Sequence, residues 1–211
     1  MKGLVLLGPP AAGKDTITTL LEQRSDLRLV RKVKAGSGRA AGYRLVSSET
    51  FDGHAERGEM ISAVERYGNR YGVLRSDVVA VQQDGHVPVV HTASPDEAKR
   101  LVEEGMALCL IWCSRSTSSE RLNARDQSSV AERLAVWDQL QSELGDAESL
   151  LDIVVDTTNR SADDAARAII AAVTSPPDGG EVRRLFRSIR FDGSELGSNA
   201  GNATRRRRWN V

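Results

Sequence analysis

The segment Leu4-Val5-Leu6-Leu7-Gly8-Pro9-Pro10-Ala11-Ala12-Gly13-Lys14-Asp15 begins with four aliphatic residues and continues into the pattern G-x-x-x-x-G-K. Apolar residues then recur at Ile17, Leu20 and Leu21, which is the spacing of a helix face. This order of strand, glycine-rich loop and helix makes the pattern informative. Glycines at both ends allow the amide N–H groups of the loop to point inward, and Lys14 adds a cation for the β- and γ-phosphates of a triphosphate. The segment therefore predicts a phosphate-binding loop.

Asp15 departs from the usual form of this loop, in which a Ser or Thr hydroxyl follows the lysine and binds Mg²⁺. Either Asp15 reaches the metal directly or through water, or the next residue, Thr16, takes its place. Mg²⁺ arriving with ATP is the only metal expected, because no cluster in the sequence has metal-ligand spacing. The loop residues expected to bind ATP are Gly8, Pro9, Ala11, Ala12, Gly13, Lys14, Asp15 and Thr16.

Short aliphatic runs alternate with amphipathic stretches along most of the chain. This alternation predicts a parallel α/β sheet with helices on its faces. The runs are Leu4 to Leu7, Leu27 to Val30, Val87 to Val90, Leu108 to Trp112 and Ile153 to Val155. The predicted helices follow Lys14 or cover Asp96 to Glu104, Val130 to Leu144 and Ala162 to Val173.

A length of 211 residues favours one domain. We expect that domain to cover residues 1–174, because Ser175-Pro176-Pro177-Asp178-Gly179-Gly180 has the composition of a linker. The tail, residues 175–211, is expected to be basic and flexible. Its run Arg205-Arg206-Arg207-Arg208-Trp209 could bind nucleic acid or a protein, but a disordered, solubilising end is the favoured interpretation.

The bulk composition narrows the possible partners. Lys and Arg number 29, as do Asp and Glu, so no whole-molecule field directs the chain to nucleic acid or to a membrane. The N-terminus is apolar for only a few residues and predicts a buried strand, not a membrane span. Cys109 and Cys113 lie in one apolar run and are expected to be reduced core residues of a cytoplasmic protein.

Beyond the loop, several further motifs follow in order along the chain. They are Gly42-Tyr43-Arg44-Leu45-Val46-Ser47 with Phe51, then Gly58-Glu59-Met60-Ile61, then Tyr67-Gly68-Asn69-Arg70-Tyr71-Gly72-Val73. Over roughly residues 3 to 173 the chain resembles the guanylate kinase family of nucleoside monophosphate kinases. The resemblance implies an α/β P-loop NTPase fold, a parallel sheet flanked by helices with acceptor-binding and lid insertions. It also implies transfer of a phosphoryl group from ATP to a small phosphorylated acceptor.

The resemblance implies an acceptor site as well. In the family, two tyrosines matching Tyr43 and Tyr71 bind the phosphate of the acceptor, together with arginines from the preceding segment. Here we expect Arg39, with Arg31 or Lys34, to fill that role, since a dianion favours several converging cations. The acceptor-binding residues expected are Arg31, Lys34, Arg39, Tyr43, Glu59, Tyr71 and His91.

The resemblance fails where the base would be recognised. Guanylate kinases place a carboxylate three residues beyond the Gly-Glu pair, where this chain has Ser62, and an acidic pair after the central strand, where it has His91. We therefore expect GMP to be a poor acceptor, because the donors of guanine would stay unpaired. At these places the chain is similar to ribose 1,5-bisphosphate phosphokinases, which is the alternative to a nucleoside monophosphate kinase.

The segment Ser118 to Leu134 resembles the lid of the family. We expect Arg125 and Arg133 to be catalytic phosphate clamps together with Lys14, because guanidinium groups stabilise the charge of a transferring phosphoryl group. Arg121 is expected near the adenine or in a structural role, and Thr157 and Asn159 are expected to border the adenine. A non-catalytic nucleotide-binding or interaction module is the alternative of another class, against which the intact Lys14, Arg125 and Arg133 argue.

Overall fold

The computed structural model describes residues 2–38, 40–124 and 129–189. The strands are β1 (Leu4–Leu7), β2 (Leu27–Leu29), β3 (Lys32–Ala35), β4 (Tyr43–Leu45), β5 (Met60–Arg66), β6 (Asn69–Leu74), β7 (Val87–Thr92), β8 (Ala107–Trp112) and β9 (Ile153–Asp156). The helices are α1 (Lys14–Arg24), α2 (Ser48–Glu56), α3 (Arg75–Gln83), α4 (Pro95–Glu103), α5 (Arg115–Asn123), α6 (Val130–Glu143), α7 (Ala162–Thr174) and α8 (Gly179–Ser188), and a 3₁₀ helix covers Leu144–Leu150.

A parallel sheet forms the centre of the fold, with the strand order β2-β7-β1-β8-β9. Every residue of β1 and β8 is buried, as continuous aliphatic runs require when both faces of a parallel sheet are covered. Along β1, Leu4 and Leu6 pack into the apolar cluster that includes Ile17 of α1 and Ile169 of α7. Val5 and Leu7 point to the opposite cluster, which α4 and α6 contribute to. The predicted α/β fold is confirmed.

A second, four-stranded sheet has the order β4-β3-β6-β5 and is mixed, since β3 pairs parallel with β4 and antiparallel with β6. Its small core contains Val33, Ala35 and Phe51. Side chains alternate along a strand, so Lys32 and Lys34 of β3 point to the face opposite to that core. Both lysines are nevertheless buried, which places their ammonium groups inside the protein. We call this sheet the acceptor sheet.

The folded core continues past the boundary expected near residue 174. Helix α8 begins at an Asp178 cap, whose side chain accepts hydrogen bonds from the first backbone N–H groups of the helix. Val182, Phe186 and Ile189 are buried in the cluster shared with α4 and α6. The expectation of a flexible segment starting at 175 is therefore wrong for 179–189, because an i, i+4 apolar pair docks this helix. The arginine run at 205–208 lies outside the described residues.

Cys109 and Cys113 are free and buried, as predicted for core residues. Burial raises the pKa of both thiols, to about 11 for Cys113, so neither is a thiolate near neutral pH. Among the residues that the structure describes, no helix combines the length and the apolar character that crossing a membrane requires.

Trp137 provides a test of the packing of α6. Its ring lies 5.0 Å from that of Trp112, and its indole N–H donates to the carbonyl of Cys113 at 3.0 Å. Trp137→Ala should lower the free energy of unfolding by about 3–5 kcal/mol, measured by urea denaturation. The control is Val79→Ala on α3, which is 40% exposed and should change it by less than about 0.5 kcal/mol. A near-zero effect of Trp137→Ala would contradict the docking of α6.

Candidate active site

A cleft lies between the phosphate loop and the acceptor sheet, and we call it the central cleft. Residues 10–15 of the loop form one side. The acceptor sheet, the carboxyl end of β7 and the start of α4 form the other sides. Among the side chains that line it are Lys14, Lys32, Tyr43, Arg66, Tyr67, Tyr71, His91, Thr92, Glu97 and Arg133.

Gly13, Lys14 and Asp15, at the start of α1, line the central cleft. Gly13 occupies the N-cap position with φ 95°, and no side chain caps the helix. A positive φ favours glycine here, and the resulting turn directs the first N–H groups of the helix toward the central cleft. At the other end of the loop, a Cβ on Gly8 would lie 2.1 Å from the carbonyl oxygen of Ile111, so the loop approaches β8 too closely for any side chain.

The carbonyls of the loop are held from behind by side chains of other elements. The carbonyls of residues 10–12 accept hydrogen bonds in turn from Ser118 Oγ at 2.8 Å, Arg121 Nη1 at 3.2 Å and Thr157 Oγ1 at 2.9 Å. Arg121 also donates to the carbonyl of Thr157 at 2.7 Å. These hydrogen bonds fix the orientation of three successive peptide planes of the loop. The contacts of Arg121 and Thr157, expected near the adenine, are thus with the loop itself.

Lys14 folds back over the loop in this structure. Its ammonium donates to the carbonyls of Gly8 at 2.6 Å and Pro9 at 2.8 Å. Burial lowers the pKa of Lys14 to about 8, because the charged form loses solvation that the nearby Asp15 carboxylate restores only in part. A charged phosphate in the cleft would supply the missing counter-charge.

His91, on β7, contacts two residues of α1. Its Nε2 lies 2.6 Å from the hydroxyl of Thr18, and its Nδ1 lies 3.4 Å from the carboxylate of Asp15. Burial lowers the pKa of His91, which favours the neutral ring. His91 was expected to contact the acceptor. The structure instead places both ring nitrogens toward α1, beside the position where magnesium is expected.

Three of the residues expected to bind the acceptor phosphate lie together. The rings of Tyr43 and Tyr71 are tilted against each other with centroids 5.2 Å apart. The Lys34 ammonium lies 5.8 Å from the first centroid and 5.7 Å from the second, and it donates to the carbonyl of Ser37. A cation beside two tyrosine rings could bind an anion with several oxygens.

The part of the cleft next to Ser62 contains a carboxylate that the sequence analysis did not predict. Glu97 Oε1 accepts hydrogen bonds from Lys32 Nζ at 2.6 Å and Ser62 Oγ at 2.8 Å, and its Oε2 accepts one from Thr92 Oγ1 at 2.6 Å. Burial alone would raise the pKa of Glu97, but Lys32 and the hydrogen bonds outweigh it and the pKa is lowered. The expectation of a pocket without a carboxylate is wrong, because α4 supplies one next to Ser62.

A helix-capping pattern conceals Glu97 in the sequence. Ser94-Pro95-Asp96-Glu97 has the form of a capping box, in which the glutamate reaches back to the N–H of the serine. Here Ser94 does cap α4, but its N–H donates to Thr92 Oγ1 at 2.9 Å. The threonine hydroxyl replaces the glutamate in the cap, so the Glu97 side chain is available for the cleft.

Arg66 and Tyr67, at the tip of the β5–β6 hairpin, line the central cleft. Tyr67 has a positive φ of 54°. The guanidinium of Arg133 lies 5.6 Å from the centroid of the Tyr67 ring, so the side chain expected to be a phosphate clamp contacts the hairpin of the acceptor sheet. Arg66, which was not predicted, donates from Nη2 to the carbonyl of Ala93 at 3.0 Å. Its Nη1 is buried and has no hydrogen-bond partner among the described residues.

Some predicted residues are not brought to the central cleft. Glu59 pairs with Arg57 and His54, its side chain is 43% exposed, and the Arg57 hydrogen bond lowers its pKa. Arg31 lines a separate shallow depression, and Asn159 is exposed. Arg39 and Arg125 lie outside the described residues. No group of three or more His, Cys, Asp or Glu suited to a metal occurs in the described part of the chain.

The chain resembles known guanylate kinases over about half to two thirds of its length. It is 28% identical over 108 residues to the guanylate kinase of Mycoplasmopsis pulmonis, covering 48% of this chain and 55% of that one. For the enzyme of Clostridioides difficile, identity is 26% over 141 residues, 62% of this chain and 69% of the relative. The match therefore spans just over half of the first relative and about two thirds of the second.

A solved structure of a guanylate kinase has a similar fold. The crystal structure of guanylate kinase from Anaplasma phagocytophilum has a TM-score of 0.58 and 18% identity, over 85% of this chain and 92% of that one. The family model described as guanylate kinase matches residues 1–175. On this match, the chain belongs to the guanylate kinase family.

Proposed function

We propose that the protein is an ATP-dependent nucleoside monophosphate kinase and that GMP, the acceptor named by its relatives, is a substrate. One observation carries the proposal. The central cleft is lined by Lys14 on the loop side and by Tyr43 and Tyr71 on the acceptor sheet, and the Lys34 ammonium lies beside both tyrosine rings. In this proposal, Lys14 would bind the phosphates of ATP, and Lys34 with the two tyrosines would bind the phosphate of the acceptor. Phosphoryl transfer between two phosphates depends on this kind of positioning more than on covalent chemistry.

The loop fits the triphosphate of ATP, since it offers uncapped backbone donors and a lysine whose charge lacks a full counter-charge. Asp15, which lines the central cleft, or its neighbour Thr16 would hold Mg²⁺, with His91 orienting the Asp15 carboxylate. The metal would supply charge neutralisation between the phosphates.

Cationic groups at the edges of the cleft complete the proposed site. Arg133 reaches it from α6, and Arg66 reaches it from the hairpin with a buried donor that has no partner among the described residues. A buried guanidinium with an unmade hydrogen bond is costly, and an anionic oxygen would satisfy it. We therefore assign both arginines to the phosphates. Arg125 would be a third clamp.

The two alternatives have less support. The relatives found are guanylate kinases, and none of them supports ribose 1,5-bisphosphate as the acceptor. A non-catalytic module would not need a phosphate loop whose carbonyls are held by side chains from other elements. Lys14 in its place, with a lowered pKa, likewise favours a catalytic role.

A coupled ADP-release assay over the nucleoside monophosphates tests the proposal, with Lys14→Ala as the variant. The change removes the charge that would turn from the carbonyls of Gly8 and Pro9 to the transferring phosphates when ATP binds, and it removes nothing from the apolar core. We expect turnover to be abolished while the melting temperature stays close to that of the wild type. Near-wild-type turnover in this variant would refute the kinase assignment.

Proton uptake on ATP binding provides an independent check. The pKa of Lys14 is about 8 before phosphate binds, and a bound phosphate should raise it, so binding at pH 8 should take up about half a proton. The uptake should fall toward zero at lower pH, where Lys14 is already charged. Calorimetry in two buffers of different ionisation enthalpy measures it. Lys14→Arg, which stays charged, is the control and should take up none through this position.

Tyr71→Phe tests the phosphate end of the acceptor site. The phenol hydroxyl would contact the acceptor phosphate, which all nucleoside monophosphates share. We expect kcat/KM to fall by a similar factor of about 10 for each active acceptor, while the KM for ATP is unchanged. A loss confined to one base would show that Tyr71 contacts the base and not the phosphate.

A further inference from the structure

Glu97 and its three hydrogen-bond partners form a buried polar network at the wall of the central cleft. Lys32, Ser62, Thr92 and Glu97 are each at most 9% exposed, yet Lys32, Thr92 and Glu97 line the central cleft. A buried ion pair is a poor source of stability, because desolvation offsets most of the Coulomb attraction. An apolar pair would fill the same space at similar or lower cost. The retention of this pair at the end of a substrate cleft therefore points to recognition.

We propose that Lys32 and Glu97 recognise the base of the acceptor as a 6-oxopurine, with Lys32 donating to O6 and Glu97 accepting from N1–H. Ser62 and Thr92 are positioning residues that hold the Glu97 carboxylate. This inference rests on the proposed kinase function and deepens it. Lys32 and Lys34 lie two residues apart on the same face of β3, about 7 Å along the strand. That spacing suits a nucleotide whose phosphate lies at Lys34 and whose base lies at Lys32.

Counting hydrogen bonds limits what Glu97 can accept. A carboxylate has about four acceptor positions. Lys32 and Ser62 use both positions of Oε1, and Thr92 uses one of Oε2. Thr92 must act as the donor, because the ionised carboxylate of Glu97 can only accept. One position of Oε2 is left for the acceptor, and two of the three donors of the Lys32 ammonium are not used within the described network.

One remaining acceptor position has a consequence for specificity. Guanine presents two donors side by side, N1–H and the 2-amino group, whereas hypoxanthine presents only N1–H. Glu97 can serve N1–H but not the 2-amino group as well. The wild type should therefore use GMP and IMP with kcat/KM values within about tenfold of each other. AMP, which has no N1–H and no O6, should be used at least about tenfold less well than both.

The test compares kcat/KM for GMP, IMP and AMP in the wild type, Glu97→Gln and a control. Glu97→Gln keeps the volume but removes the charge, and we expect a loss of about 10- to 100-fold for GMP and IMP, a smaller change for AMP and an unchanged KM for ATP. The control is Glu104→Gln, just beyond α4, whose carboxylate pairs with Arg75 outside the cleft. It should leave the ratios among the three acceptors unchanged.

Ser62→Ala is a second test, in which we expect a gain for GMP where Glu97→Gln should show a loss. It also tests the proposal if the Glu97→Gln variant does not fold. It keeps the Lys32–Glu97 pair and releases one acceptor position on Oε1. We expect the ratio of GMP to IMP to rise, because the 2-amino group gains an acceptor. An unchanged ratio in Ser62→Ala, or an equal loss for all three acceptors in Glu97→Gln, would overturn the inference and leave Glu97 as a link between the sheets. A wild type that phosphorylates no nucleoside monophosphate would instead refute the proposed function itself.

Discussion

A phosphate loop binds phosphate through its backbone N–H groups, so its peptide planes must keep a fixed orientation, and the surrounding structure is organised around that requirement. A peptide plane cannot rotate freely once its carbonyl oxygen is held in a hydrogen bond. Ser118, Arg121 and Thr157 hold three successive carbonyls from behind, and Lys14 holds the two before them. Helices α5 and α1 and the end of β9 are thereby tied to one loop.

The Glu97 network imposes a comparable constraint between the two sheets. Lys32 and Ser62 belong to the acceptor sheet, while Thr92 ends a strand of the central sheet. Glu97, on α4, accepts hydrogen bonds from all three, so a charged group links the two sheets at the wall of the cleft. Removing Lys32 or Glu97 alone would leave a buried charge uncompensated, which is far more costly than the pair itself is stabilising. The two sheets are therefore held together at this end of the cleft.

Local patterns predicted the strands of the central sheet and the phosphate loop, because each depends on residues that are close in sequence. The grouping of Lys34 with Tyr43 and Tyr71 was instead expected from the resemblance to the guanylate kinase family. Glu97 and Arg66 were not predicted, since their positions depend on how distant elements pack. Glu97 in particular matches a capping box, and only the hydroxyl of Thr92 at the preceding strand end releases it. Helix α8 was missed for another reason. A linker-like composition at 175–180 conceals the apolar pair that docks it.

Ser62 and Glu97 are in direct contact, so any exchange of side chains at this place in the cleft involves both of them. Ser62 Oγ on β5 donates to Glu97 Oε1 at 2.8 Å. The carboxylate thus reaches the cleft from α4, and Lys32 neutralises it there. A substitution at a single motif position therefore does not establish that an interaction is absent, because a neighbouring element can supply the same group. What the exchange alters is the number of acceptor positions left, and with it which edge of a base the cleft can read.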